Sequence, residues 1–139
     1  MIAYLLAAAT VTLTIPEPKK LDVERMLDAI KAVENWDGKT RGAAGEWGPW
    51  QMTPEVWKRC RGNIRKTLQM AEPHELRAAA REELQFRIAT LQINHHVPTA
   101  FLVALAWGAG VRATLDGKAT EKKREYARRV ETVYEKASI

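Results

Sequence analysis

Apolar residues recur every three or four positions across residues 21–34, and this spacing predicts an amphipathic helix that ends at Glu34. Charged residues occupy the other side, as on a helix that packs one face against a protein core. A Trp-Asp-Gly sequence at 36–38 then ends the pattern. The residues of the predicted apolar face are Val23, Met26, Leu27, Ile30 and Val33.

Five further segments also have helical character. They are residues 53–61, 64–70, 72–95, 100–107 and a last segment that begins near Thr120. Thr53 and Thr99 each precede a helix as capping residues, since a threonine hydroxyl accepts a hydrogen bond from the first turn. Segment 100–107 is apolar on every side, which is typical of a central, buried helix. The sequence therefore predicts an all-α fold, or a mainly α fold with a small loop or hairpin lobe.

Residues 35–52 differ from the helical segments, because glycines and tryptophans are spread along them. Glycines mark turns, and a loop of this length in a compact domain is usually functional or disordered. The tryptophans argue against disorder. We interpret the segment as a shaped loop in which Trp47 and Trp50 either contact a sugar or hold the loop by packing.

The first 20 residues form a separate unit in the predicted domain organisation, and residues 21–139 form one folded domain. Residues 2–15 are apolar or threonine, and Pro16 follows them. This run is too short to span a bilayer as a helix. It is interpreted as an export signal, a buried strand or helix, or a membrane-associating tail, with residues 16–20 as a linker. Membrane contact is therefore expected only through residues 2–15.

The composition allows a core and favours anionic partners. Hydrophobic residues make up 46% of the chain, and its net charge is +5. A positive charge suits nucleic acid, an acidic membrane or an anionic cell-wall polymer, although solubility alone also accounts for it. The one cysteine, Cys60, excludes a disulfide within the chain and any site with two thiolate ligands. We expect Cys60 to have a structural or surface role.

Glu34 is the residue that most suggests chemistry. It lies four residues after Ile30 and seven after Leu27, which places its carboxyl group on the apolar face at the helix end. Partial burial and the negative end of the helix dipole both disfavour the charged form, so its pKa should be raised. A carboxyl group that keeps its proton near neutral pH suits a general acid. Periodicity alone favours a simpler interpretation, a helix-end glutamate that faces solvent.

Several segments in a fixed order resemble the lysozyme-like superfamily, in particular its branch of lytic transglycosylases and goose-type lysozymes. Glu34 stands where that branch has a catalytic Glu at a helix end. Residues 48–54, Gly-Pro-Trp-Gln-Met-Thr-Pro, are similar to the segment that lines its cleft and starts the next helix. Residues 104–110 are similar to its segment of small residues with an aromatic residue. Residues 126–130 are similar to its Tyr-x-x-x-Val element.

The resemblance implies a lysozyme-like catalytic domain that cleaves the β-1,4 bond between N-acetylmuramic acid and N-acetylglucosamine in peptidoglycan strands. Glu34 would be its general acid and base, and the hydroxyl of Tyr126 would approach Glu34. The expected substrate-binding residues are Trp47, Trp50, Gln51, Trp107 and Tyr126. Trp107, like Trp57, also fits a helical core pattern. No cofactor or metal is expected, and the chain is expected to act as a monomer in the cell envelope, in the periplasm or outside the cell, including delivery by a phage.

A second catalytic carboxylate would favour hydrolysis over lytic cleavage of the glycan strand. Glu46 and Asp37 are the candidates, and Glu46 is favoured because it lies between Gly45 and Trp47 in the loop. It could also be a surface residue, or hold the loop by accepting backbone hydrogen bonds. If neither carboxylate acts, Glu34 alone supports lytic cleavage, in which the sugar's own 6-hydroxyl reacts and leaves an anhydro product. Both reactions stay open at this point.

Two residues depart from the family's pattern, and two other functions stay open. Gly108 stands where Asn is usual and Asn35 where Ser is common, so a catalytically inactive cell-wall binding module is one alternative. The other is a basic helical protein that binds nucleic acid, which is less favoured because no recognised nucleic-acid motif is present. Its cluster of basic residues would be Lys58, Arg61, Arg65 and Lys66.

The histidines do not suggest a metal site. His95 falls on the predicted buried face of segment 72–95, and its neighbour His96 points elsewhere on a helix, so the two cannot easily share a metal ion. No Asp, Glu or Cys joins them at ligand spacing. We predict that His95 is a core or cleft-edge residue and that His74 is an exposed residue at a helix start.

Overall fold

The structure is a computed structural model that describes residues 7–17, 19–61 and 66–137. Within these residues it consists of helices and loops, so the predicted all-α class is confirmed. Where a small loop or hairpin lobe was predicted, the described residues contain one isolated bridge, between Trp47 and Met52. A turn of 3-10 helix covers Leu68–Met70. The α-helices are α1 (Val23–Glu34), α2 (Pro54–Cys60), α3 (Pro73–Ile93), α4 (Ala100–Ala109), α5 (Val111–Leu115) and α6 (Glu121–Lys136).

Side-chain caps set where several helices begin. Asp22 accepts a hydrogen bond from the backbone N–H of Arg25, so α1 starts two residues after the predicted position 21. Each such cap satisfies a backbone donor that the first helical turn leaves free. The caps predicted at Thr53 and Thr99 are therefore confirmed. The helices that a threonine hydroxyl caps in this way are α2, α4 and α6, at Thr53, Thr99 and Thr120.

Helix α4 lies at the centre of the fold, as its apolar sequence predicts. It contacts α3, α5 and α6, and α1 packs against α3 and α6. Residues 103–106 of α4 are buried. The four longest helices share one core, which holds the end of α1 that carries Glu34. The largest fully buried side chains in this core are Met26, Leu27, Ile30, Leu84, Leu91, Val103 and Val130.

Helix α3 ends earlier than its apolar pattern predicts. Its last residue is Ile93, and His95 follows in the left-handed region with φ 63°. The N–H of His95 donates to the carbonyl of Gln92, so the chain turns away before His95 can continue the buried face. His95 is exposed, and its prediction as a core or cleft-edge residue is wrong. His74 is exposed, as predicted.

Two short elements also differ from the sequence prediction. Of the predicted helical segment 64–70, only Leu68–Met70 is helical among the described residues, and residues 62–65 lie outside them. Helix α5 has no counterpart in the prediction, because its five residues are too few to show helical periodicity. Gly110, with φ 89°, separates α5 from α4.

Residues 7–17 are exposed and have no regular secondary structure. Val11, Leu13 and Ile15 each expose at least 80% of their surface. A buried strand or helix over this part of the apolar run is therefore contradicted. No helix among the described residues has both the length and the apolar character needed to cross a membrane.

Candidate active site

Helix α1 ends at Glu34 because Asn35 takes the left-handed conformation, with φ 45°, and its N–H donates to the carbonyl of Lys31. Glu34 lines a cleft of about 380 Å³ between the end of α1, residues 42–53 and helices α3, α4 and α6. The structure therefore brings together predicted site residues that are far apart in the chain. Those that line the cleft are Glu34, Glu46, Gln51, Trp107 and Tyr126.

A hydrogen bond from Tyr126 to Glu34 joins α6 to the end of α1. The Tyr126 hydroxyl donates to Glu34 Oε1 over 2.8 Å. Burial raises the pKa of Tyr126 far above its ordinary value, and the nearby charge of Glu34 acts in the same direction. The hydroxyl therefore keeps its proton and remains a donor. This contact has the form that the resemblance implies for these two residues.

Burial raises the pKa of Glu34, since a carboxylate that is shielded from water loses hydration. The hydrogen bond from Tyr126 and the positive charges of Lys123 and Arg129 oppose this rise, whereas Glu46 adds to it. The net direction is upward, as the position of Glu34 on the apolar face predicts. Glu34 therefore keeps its proton to a higher pH than an ordinary glutamate.

Gly108 makes room for the ring of Tyr126 beside α4. A Cβ atom at position 108 would lie 2.9 Å from two ring carbons of Tyr126, closer than real Cβ contacts come. Glycine has no such atom, so the ring can lie directly against the backbone. Glycine at position 108 is therefore needed for this position of the tyrosine that contacts Glu34.

Glu46 lines the cleft and also holds its own loop. Its Oε2 accepts a hydrogen bond from the N–H of Ala44 over 2.9 Å, and its carbonyl accepts one from the N–H of Gly42. Its charge acts on Glu34, whose pKa it raises. The position of Glu46 fits both interpretations made from the sequence, a cleft residue and a loop partner. Its catalytic role stays a prediction.

Asp37 belongs to a turn and does not line the cleft. Its carboxylate accepts hydrogen bonds from the hydroxyl of Thr40 and from the N–H groups of Lys39 and Thr40. These bonds, with the Thr40 hydroxyl contributing most, hold the pKa of Asp37 below its ordinary value. Asp37 therefore acts as an acceptor that shapes the turn, and the structure does not support it as the second carboxylate.

The tryptophans of the loop are less accessible than predicted. Trp50 is 2% exposed, and its Nε1 donates to the carbonyl of Leu27. Of the two roles left open by the sequence, this position fits the one in which Trp50 holds the loop by packing. Trp47 packs edge-on against Trp36, with ring centroids 4.8 Å apart, and does not line the cleft. Burial of a large apolar ring stabilises the fold. An irregular loop has no periodicity from which the burial of its tryptophans could be predicted.

Gln51 and Trp107 lie in the cleft wall. Gln51 has φ 50°, and its Nε2 donates to the carbonyl of Gly48, which stabilises the turn. Trp107 is half-buried, and its Nε1 donates to the carbonyl of Trp50 over 3.2 Å. The bond from Trp107 joins the loop to α4. Trp57 lies in the core, as predicted.

An ion pair between Glu83 and Arg87 forms part of the cleft wall and has no counterpart in the sequence analysis. The Glu83 side chain is 3% exposed, and its Oε1 lies 2.9 Å from Arg87 Nε. Arg87 also donates to the carbonyl oxygens of Ala106 and Trp107. The only sign of this ion pair in the sequence is the spacing of four residues between Glu83 and Arg87 on one helix. Because segment 72–95 is rich in Glu and Arg throughout, that spacing does not show that the pair is buried.

Three cations of α6, which the sequence analysis also missed, line the same cleft: Lys122, Lys123 and Arg129. They lie around Tyr126 because residues three and four positions apart are neighbours on a helix. All three are exposed. The cleft therefore combines acidic groups from α1, the loop and α3 with cationic groups from α3 and α6.

No family model, no curated protein and no solved structure matches this chain. Among the described residues, no group of three or more His, Cys, Asp or Glu side chains could hold a metal ion. What the described side chains do provide is a carboxyl group that can transfer a proton, a tyrosine that holds it, and a set of charges around it.

Proposed function

We propose that this protein cleaves the glycan strands of peptidoglycan at the β-1,4 bond between N-acetylmuramic acid and N-acetylglucosamine, with Glu34 as acid and base. One observation carries the proposal: Glu34, with a raised pKa, lines a cleft and accepts a hydrogen bond from Tyr126. The resemblance of residues 48–54 and 104–110 to lysozyme-like segments supports the substrate class.

In the first step, the carboxyl group of Glu34 gives its proton to the glycosidic oxygen while the bond from that oxygen to the anomeric carbon breaks. Positive charge develops on the sugar ring, and Glu34 becomes a carboxylate. The hydrogen bond from Tyr126 stabilises this carboxylate and limits its rotation, because a hydrogen bond to a charged acceptor is stronger than one to a neutral acceptor.

The second step returns a proton to Glu34 and decides the product. In lytic cleavage, the Glu34 carboxylate takes the proton of the sugar's 6-hydroxyl, whose oxygen bonds to the anomeric carbon and leaves a 1,6-anhydro end. In hydrolysis, water takes the place of that hydroxyl, and the product has a reducing end. Glu46 would stabilise the charged sugar or activate the water in hydrolysis, whereas lytic cleavage needs Glu34 alone.

Purified sacculi incubated with the protein test this proposal. The parent protein should release soluble muropeptides, and Glu34→Gln should release none above background. Glu125→Gln changes an exposed glutamate on α6 and should match the parent. Mass spectrometry of the products separates anhydro from reducing ends. Equal release by the parent and by E34Q, or no release by either, would remove Glu34 from the role of acid.

An inactive cell-wall binding module is the second candidate, and Gly108 favours it because glycine cannot supply the amide side chain that usually helps to hold the substrate. Such a module would sediment with sacculi and release no muropeptides. The same incubation distinguishes the two candidates when the bound protein is measured in the pellet. In either case, the expected location in the cell envelope, in the periplasm or outside the cell follows from the substrate.

The ion pairs of the described residues disfavour the nucleic-acid alternative. Arg61 and Lys66, two of the four basic residues in its cluster, contact Glu82 and Glu75, each over 2.8 Å. A cation that is already paired gains less from a phosphate, because the new contact must replace the old one. Arg65 of this cluster lies outside the described residues.

A further inference from the structure

The wall that α6 contributes to the cleft, here called the basic wall, consists of Lys122, Lys123 and Arg129. None of the three is in an ion pair with another described residue. Arg128, which precedes Arg129 on the same helix, does not line the cleft and pairs with Glu121 over 2.9 Å. The three cations of α6 that line the cleft therefore have no ion-pair partner among the described residues.

The position of the two lysines is unfavourable for the fold by itself. Lys122 and Lys123 lie in the first turn of α6, where the positive end of the helix dipole disfavours cations. Arg129 adds a third positive charge to the same cleft. An anion bound between these groups would relieve their repulsion and gain from the helix dipole. The basic wall is thus suited to a negatively charged ligand.

We propose that the basic wall is a subsite for carboxylate groups carried by the glycan substrate. This inference rests on the proposed function and describes its substrate more closely. Glycan strands of peptidoglycan carry a lactyl group on alternate sugars, and that group ends either in a free carboxylate or in a peptide with carboxylates of its own. Lys122 and Lys123 would contact such a carboxylate while Glu34 acts on the neighbouring glycosidic bond.

A widely spaced anionic substrate fits this cleft better than a dense polyanion. Glu34, Glu46 and Glu83 line the same cleft as the basic wall. Glu83 is paired with Arg59 and Arg87, which leaves Glu34 and Glu46 as the acidic groups without an ion pair. A nucleic acid carries a charge at every unit and would place phosphates against these two groups as well as against the lysines. A strand with a carboxylate on every second sugar can present its charge to α6 and neutral sugar to the glutamates.

Binding measured without cleavage tests the inference separately from the proposed function. E34Q serves as the background, and the ligands are peptide-free peptidoglycan oligosaccharides with free lactyl carboxylates, the same oligosaccharides with amidated lactyl groups, and oligosaccharides with peptides. Calorimetry gives each dissociation constant in E34Q, in E34Q/K122Q/K123Q, and in E34Q/K118Q/K136Q. The last variant removes the same charge from exposed lysines that do not line the cleft.

E34Q should bind the carboxylated ligands roughly fivefold more tightly than the amidated one, as two exposed charge contacts allow. K122Q/K123Q should abolish this preference, K118Q/K136Q should keep it, and added salt should weaken it. If the peptide-free strand with free lactyl carboxylates binds more tightly than the amidated strand, the bound carboxylate belongs to the lactyl group. If only the peptide-bearing strand binds more tightly than the amidated strand, the carboxylate belongs to the peptide.

Equal affinity for carboxylated and amidated ligands would overturn the inference, as would an equal loss in both lysine variants. Tighter binding of a single-stranded oligonucleotide through Lys122 and Lys123 would overturn it as well, in favour of a phosphate ligand. None of these results depends on bond cleavage. Failure of muropeptide release would instead bear on the proposed function, so the two failures are distinguishable.

Discussion

The two ends of helix α1 each carry a glutamate, and their surroundings act on them in opposite directions. Glu24, in the first turn, is half-exposed and accepts hydrogen bonds from Arg81 and Arg77 of α3, which lower its pKa to about 2. Glu34, in the last turn, is half-buried, and burial raises its pKa. One helix thus presents a permanent anion at one end and a group suited to proton transfer at the other.

This difference shows what a carboxyl group needs in order to act as an acid. Direct contact with guanidinium groups stabilises the carboxylate form at Glu24, whereas loss of water destabilises it at Glu34. Lys123 and Arg129 also favour the charged form of Glu34, but their effect is smaller than that of burial. Cations that surround an acid without contacting it can therefore attract a charged substrate and still leave the acid protonated.

The largest expected effect is a difference in the rate of muropeptide release between variants of Glu34 and of Glu24. Glu34→Gln should lower the rate of muropeptide release by about 10³-fold, the range expected when a general acid is lost. Glu24→Gln should leave the rate within about twofold of the parent, because Glu24 does not line the cleft. Rates from sacculi at one pH are sufficient. Comparable losses in both variants would contradict the assignment of Glu34.

Gly108→Asn introduces the residue that is usual in the resembling family and should break the site. Its Cβ would collide with the ring of Tyr126, so we expect a loss of about 1–3 kcal/mol in stability. Release of muropeptides should fall roughly tenfold. Chemical denaturation and the sacculus assay measure these two effects. In the double variant G108N/Y126F, the loss of muropeptide release should be smaller than the two single losses combined. The reason is that G108N already displaces the ring whose hydroxyl Y126F removes. Fully additive losses of activity would contradict this account.

Tyr126→Phe alone should move the pH profile. The hydroxyl of Tyr126 stabilises the carboxylate form of Glu34, so its removal raises the pKa of Glu34 further. Because the acid form is active, the upper limb of the plot of kcat/KM against pH should shift to higher pH. The measurement is initial rate with a soluble glycan strand between pH 4 and about 9. A limb that stays in place, or moves to lower pH, would show that Tyr126 does not act on Glu34 in this way.

Replacing Glu34 should stabilise the folded protein at neutral pH. A pKa that is higher in the folded than in the unfolded state contributes stability below the unfolded value, near 4.3, and loses it as pH rises through the folded value. At pH 7 the parent therefore bears the cost of a half-buried carboxylate that E34Q lacks. Thermal unfolding at pH 7 should show a midpoint roughly 4 °C higher in E34Q. The gain should vanish below about pH 4, and a gain that is independent of pH would contradict this explanation.

The smallest expected effect concerns the other end of α1. The lowered pKa of Glu24 contributes stability above the unfolded value, near 4.3, and this contribution is lost as pH falls towards 2. Glu24→Gln should therefore destabilise the protein at pH 7, by no more than about 1 kcal/mol because solvent screens an exposed ion pair. Urea unfolding at low and high salt checks this, and the difference should shrink with salt. An increase in stability at pH 7 would count against the pairing with Arg77 and Arg81.

Much of the helical framework could be predicted from the sequence, because periodicity and caps are local. The starts of α2, α4 and α6 follow from threonines whose hydroxyls bond within the first turn. The end of α3 could not be predicted, since a left-handed turn at His95 interrupts a face that still looks apolar in the sequence. Helix α5 is too short to show a period.

The candidate site was predictable in part. The place of Glu34 on an apolar face drew attention to it, but the resemblance of short segments was needed to favour it as catalytic, and the same resemblance identified Tyr126. The role of Trp50 stayed open between sugar contact and packing, because no pattern in a glycine-rich loop shows which way a ring points. Its hydrogen bond to Leu27 of α1 appears only in the folded chain. The basic wall was missed, since Lys122 and Lys123 in the sequence look like any solvated charges at a helix start.

The sequence by itself determined the helical class, the capped helix starts, the apolar central helix and the carboxyl group at the end of α1, because these depend on residues a few positions apart. Only the tertiary structure decided which groups surround that carboxyl. The contact between Glu34 and Tyr126 joins residues 92 positions apart. It depends on the packing of α6 against α1 and α4, and on a glycine at 108 that admits the ring. Burial and charge around Glu34 arise from that packing, so the chemistry of the cleft is a property of the assembled helices.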